Sequence, residues 1–85
     1  MPIRYDIYTE NKNKPWIQEL ATARFGSFTI FTAEGSFQGV QEGSLIISVI
    51  DTEPSFVQQF AEEVKRWNEQ QAVMIVTTLC DVQNI

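Results

Sequence analysis

The stretch FTAEGSFQGVQEGSLIISVI, residues 31–50, decides the fold. It holds Gly35, Gly39 and Gly43, three of the four glycines in the chain, with apolar runs on either side. Two strands joined by a glycine-rich tip account for this pattern. The glycines recur every fourth residue, wider than a two-residue hairpin turn requires. The chain is therefore expected to bend at Gly35, pass through Phe37, bend again near Gly39 and re-enter a sheet after Gly43. Glu34 and Glu42 each precede a glycine and are expected at the rim, across the tip from each other. Phe37 is the one large apolar residue of the tip. It is either tucked under the loop or offered to a partner.

The strands on either side of the tip are read as residues 27–33 and 44–51. The second of these does not alternate. Leu45, Ile47 and Val49 belong to one face, Ile46 and Ile50 to the other, which predicts a central strand covered on both sides. Reading back toward the N-terminus, residues 15–25 carry a helical stripe of Trp16, Ile17, Leu20, Ala21 and Phe25. Pro15 suits the first turn and Gly26 the C-cap. Before it, residues 3–9 alternate with period two, Ile3, Tyr5 and Ile7 on one face. Reading forward, residues 52–70 form the clearest helix, with Phe56, Val57, Phe60, Ala61, Val64 and Trp67 on one stripe. Thr52 or Ser55 is the expected N-cap, Ser55 and Gln58 fit a capping box, and Trp67 is expected in the core. Residues 71–82 close the chain as a strand with apolar residues on both faces.

The order is strand, helix, strand, strand, helix, strand. Two right-handed crossovers around a hairpin give a split βαβ. The fold class is thus α+β, a ferredoxin-like βαββαβ sandwich over the whole chain, residues 1–85, as one domain. Its four-stranded antiparallel sheet has order 4-1-3-2 and two helices on one face. Those helices leave the other face bare, although residues 45–50 and 73–80 offer it apolar side chains. A bare apolar sheet face is unusual on a monomer. A second copy of the chain is the expected cover, so a homo-oligomer, a dimer, is predicted.

Composition sets further limits. A chain of 85 residues buries roughly 60–65% of the surface its unfolded form exposes, which leaves one marginal core. Six Phe, two Trp and two Tyr give that core bulk. A formal net charge of −5 argues against direct binding to nucleic-acid phosphates. It fits a soluble protein, or one whose acidic surface meets a protein partner with a basic surface. The single cysteine, Cys80, cannot form an internal disulfide and reads as a small buried hydrophobe. The N-terminal residues lack the apolar run of a signal peptide, and no segment is long enough for a membrane helix. A cytoplasmic location is expected.

The run ARFGSFTIFTAEGSFQG, followed by EGSLIISVI and, after the helix, by EQQAVMIV, resembles a family of small uncharacterised bacterial and phage-borne βαββαβ proteins. The resemblance covers about two-thirds of the chain. It rests on a G-x-[FW]-x-G hairpin, here Gly35, Phe37 and Gly39, on a following Glu-x-Ser, here Glu42 and Ser44, and on Gln71 before the last strand. It implies the fold and the hairpin, and no activity.

The chain has no histidine, so the usual general base, metal ligand and triad partner are missing. One cysteine and scattered carboxylates do not make a zinc set. The glycine-rich tip has no lysine to meet a phosphate. No catalysis, no metal and no cofactor are expected. Binding remains. Tyr8, Glu34, Phe37, Glu42 and Gln71 lie at strand ends and are the expected lining of a pocket at a subunit boundary, where a small ligand or protein would be recognised. The alternative is a small acidic inhibitor, of the kind phages and mobile elements carry, that blocks a host defence or nucleic-acid-processing protein. One continuous negative face would favour it.

Overall fold

A computed structural model describes residues 2–85, apart from the side chain of Phe37. The elements follow the expected order: β1 (Ile3–Glu10), α1 (Lys14–Phe25), β2 (Thr29–Phe37), β3 (Val40–Ile50), α2 (Pro54–Trp67) and β4 (Met74–Leu79). The four strands form one sheet of order β2-β3-β1-β4, antiparallel at every pair. This is the predicted order read from the opposite edge.

Alternation along the strands sends Tyr5, Ile7, Leu45, Ile47 and Val49 to the helix side. Ile17 and Ala21 of α1 and Val57, Phe60, Ala61 and Val64 of α2 meet them there. Phe60, Ile7, Ile17, Leu45 and Ile47 are fully enclosed. Each contributes about 1.5–3 kcal/mol by leaving water. The helices pack antiparallel: Trp16 meets Trp67 with ring centroids 5.7 Å apart, and Phe25 meets Phe60 at 5.1 Å. Arg24 and Glu63 are ion-paired between them. Gly26 has φ +74° and its N–H donates to the Thr22 carbonyl, so it ends α1 as its position after Phe25 predicts.

The hairpin differs from expectation. β2 and β3 stay in register to the end, through Glu34–Gly43, Gly35–Glu42, Ser36–Gln41 and Phe37–Val40. The turn is two residues, Gln38 and Gly39, with φ of +50° and +82°. Two positive φ values in succession mark the tight turn whose twist matches that of paired strands. Of the three glycines, only Gly39 lies in the turn. Gly35 and Gly43 sit within the strands without positive φ, and a Cβ on either would meet only ordinary contacts. The even glycine spacing therefore marks one turn and two strand positions. The expected bend at Gly35 is absent, and the sheet does not wait for Gly43 to resume.

Three further expectations change. Ser55 caps nothing: α2 begins at Pro54 after Glu53, with no side-chain cap, because the fixed φ of proline starts the helix by itself. β4 is shorter than residues 71–82, and Cys80 lies just beyond it, half-buried, its N–H donating to the Pro2 carbonyl at 3.1 Å. Trp67 is not in the core but 65% exposed. The buried stripe continues from Val64 to Asn68, and Trp67 lies beside it, against Trp16.

Candidate functional site

β1 pairs with β3 only from Arg4–Ile50 to Glu10–Ser44. The hairpin continues four residue pairs beyond that point, an arm of roughly 10–13 Å at strand rise. The loop after β1 and the loop after α2 reach the base of this arm. One polar cluster fixes both loops. Gln70 Oε1 accepts from the Thr9 hydroxyl at 2.6 Å, from the Glu10 backbone N–H at 3.2 Å and from Asn68 Nδ2 at 3.1 Å. Asn68 Nδ2 also donates to the Lys12 carbonyl at 3.1 Å, and Lys12 Nζ donates to the Asn68 carbonyl at 2.6 Å. Asn13 Nδ2 donates to Asn68 Oδ1 at 2.9 Å. Asn68 and Gln70 are buried, and no buried side-chain polar atom among the described residues lacks a partner. A fully satisfied buried network is rigid, since losing any member leaves a desolvated group unpaired.

α2 ends in a two-bond cap. The Glu69 N–H donates to the Arg66 carbonyl and the Gln70 N–H to the Lys65 carbonyl. Glu69 holds the left-handed position of this cap, φ +53°, where glycine is usual. With buried residues on both sides, its side chain is held outward. It lines an open groove of about 450 Å³ with Glu10, Glu42, Gln71 and Ala72. A second hollow of about 460 Å³ continues from it, sharing Glu10 and Glu42 and adding Asn11, Lys12 and Gly43. Three carboxylates thus face one groove at the base of the hairpin arm.

The sequence-selected residues separate on this frame. Glu42 and Gln71 come together in the groove. Tyr8 stands two residues before Glu10 on the same sheet face, between Ile46 and Met74 in the register. Glu34 does not lie opposite Glu42: it pairs with Gly43 and points to the other face, into a hollow with Asn11 and Thr32. Phe37 lies at the end of the arm, and the placement of its side chain falls outside the described residues. Glu10 and Glu69, and the Asn68 and Gln70 that hold the loops, were missed. Asn68 had a signal, for it continues the buried stripe of Val57, Phe60 and Val64 with a polar residue.

The bare sheet face carries one apolar belt across all four strands. Phe31, Ile46, Tyr8 and Met74 are successive partners in the register. Ile46 is covered by its neighbours at 8% exposure, while Phe31 and Met74 stand open at 45% and 55%. Beside the belt, Arg4 and Asp6 form an ion pair of 3.0 Å. By register, Asp6, Glu10 and Glu42 share the bare face of the sheet and Glu34 points to the other. Among the described residues, no three side chains of metal-ligating type come close enough to hold an ion. No helix of the described residues is long and apolar enough to cross a membrane.

Element order and sheet order define the class: a ferredoxin-like βαββαβ sandwich of the CutA type. No family model and no curated protein matches the chain. Solved structures do. A phage SAM lyase in its apo state aligns over 89% of this chain and 78% of its own, with a TM-score of 0.73 and 15% identity. The divalent cation tolerance protein of Thermus thermophilus aligns over 99% and 88%, with a TM-score of 0.63 and 19% identity. CutA from Synechococcus elongatus, complexed with a Bis-Tris molecule, aligns over 91% and 78%, with a TM-score of 0.63 and 12% identity. Identities this low establish a shared fold and leave the chemistry open.

Proposed function

We propose that this chain is a non-catalytic, homo-oligomeric binding module. Copies associate through the bare sheet face, and each offers the groove at the base of its hairpin arm to a small cationic ligand. The belt of Phe31, Ile46, Tyr8 and Met74 carries the reading. Partly exposed aromatic and apolar side chains in a row across a whole sheet gain most by burial against an identical row. The groove contributes the ligand class. Glu10, Glu42 and Glu69 line it together, and their charges favour a protonated amine.

Two measurements test this. Sedimentation velocity should find an oligomer for the wild type and a folded monomer for Phe31→Glu. Phe31 is open on the single chain, so a charge there disturbs assembly and spares the fold. A wild-type monomer at high concentration would overturn the assembly. For the groove, Bis-Tris serves as a probe cation in a calorimetric titration, since a CutA structure of the same fold holds that molecule. Binding should weaken in Glu42→Gln and in Glu69→Gln. Equal binding by both variants would place the site elsewhere.

One observation favours a second reading, the alignment with a phage SAM lyase over most of this chain. SAM carries a sulfonium and an ammonium group, which the same acidic groove would attract. Incubation with SAM followed by mass spectrometry separates the readings. Intact SAM fits a binding module, and cleaved SAM makes the chain an enzyme.

A further inference from the structure

On the bare face of the sheet, opposite charges lie on opposite sides of the apolar belt. Tyr8 and Ile46 are partners within the belt, and β1 runs antiparallel to β3. Glu42 stands four residues from Ile46 on the side of the hairpin arm, and Glu10 stands two residues from Tyr8 on the same side. Arg4 stands four residues from Tyr8 on the other side. Arg4 and Glu42 therefore flank the belt on neighbouring strands, each about 13 Å from it at strand rise. Arg4 Nε donates to Asp6 Oδ2 at 3.0 Å, and its two Nη atoms meet no acceptor among the described residues. The Arg4 side chain is 42% exposed, whereas that of Asp6 beneath it is nearly enclosed.

We infer that two copies pack bare face to bare face about a two-fold axis along the belt, with their arms opposed, so that the partner's Arg4 reaches the acidic groove beside Glu42. The inference rests on the assembly proposed above and gives that assembly its geometry. Aligned sheets can stack with the arms side by side or opposed. Arms side by side would gather Glu10 and Glu42 of both copies at one end and both Arg4 side chains at the other. Like charges so placed oppose assembly. An axis along the belt instead sets each belt residue on its own counterpart and exchanges the two ends. The free Nη atoms of the partner's Arg4 then face Glu42 and Glu10, and a guanidinium fork suits a carboxylate. Asp6 holds that guanidinium in place. The partner's Ile50 is carried to the same end, toward Val40, and both residues are open on the single chain. The groove thus gains a wall that one copy alone does not supply.

Sedimentation of the wild type, Glu42→Lys and Glu34→Lys measures the charge contact. Glu42→Lys sets a cation against the partner's Arg4 and should weaken self-association about tenfold or more. Glu34→Lys makes the same change on the other face of the same arm and should leave self-association as it is. A spin label on the arm, in Gln38→Cys/Cys80→Ser, reads the direction of packing. Gln38 lies in the turn beyond Val40, which is itself six residues from Ile46. Opposed arms hold the two labels about 40 Å or more apart, and arms side by side bring them within about 20 Å. A wild-type monomer would overturn the assembly and this geometry together. An oligomeric wild type with equal association in the two charge variants, or with labels close together, would overturn the geometry alone.

Discussion

At the residue scale, position outweighs type. Phe60 and Trp67 lie seven residues apart on one stripe, yet Phe60 is enclosed and Trp67 is open. Phe60→Ala should cost about 3–5 kcal/mol, the usual loss for a buried large aromatic. Trp67→Ala should cost only about 0.5–1.5 kcal/mol, the worth of its pairing with Trp16. Urea unfolding of the two variants checks the contrast, and equal losses would mean that Trp67 is enclosed in solution. Glu69 poses the opposite case. A left-handed backbone costs a non-glycine residue about 1–2 kcal/mol, part of which glycine gives back as unfolded-state entropy. Glu69→Gly should therefore raise stability by up to about 1 kcal/mol while weakening capture of a cation in the groove. A variant no more stable than the wild type would show that the carboxylate itself supports the fold.

At the element scale, the hairpin arm depends on its turn. Gln38 and Gly39 both hold positive φ, and a Cβ on Gly39 would meet no atom within 4 Å. Gly39→Ala should destabilise by about 1–2 kcal/mol. Gln38→Asn should stabilise, because asparagine before glycine is the preferred pair for this turn. Thermal unfolding of both variants provides the test, and opposite shifts in Tm are the expected result. The arm explains why the repeat of glycines misleads. Spacing records where a side chain is missing, and only dihedral angles separate a turn glycine from one inside a strand.

At the scale of the whole molecule, the unlike faces matter most. The helix layer closes one face of the sheet, and the belt from Phe31 to Met74 leaves the other incomplete. If copies complete it, Tm rises with protein concentration, as mass action requires of an assembly that binds only folded chains. Phe31→Glu should abolish that dependence. A wild-type Tm independent of concentration would leave the belt without its proposed partner.

Element order, sheet order, the helix-side core and the bare apolar face were legible in the sequence. The sheet order follows from two right-handed crossovers around a hairpin, and the rest from hydrophobic periodicity, a local property read along one strand or one helix. Of the groove, only Glu42 and Gln71 were legible. Glu10 and Glu69 are far apart in the chain and join it because Asn68 and Gln70 tie the loop after α2 to the loop after β1. The exposure of Trp67 was hidden for the same reason. A stripe tells which way a side chain points, and only the packed helices and sheet decide whether anything lies there to meet it.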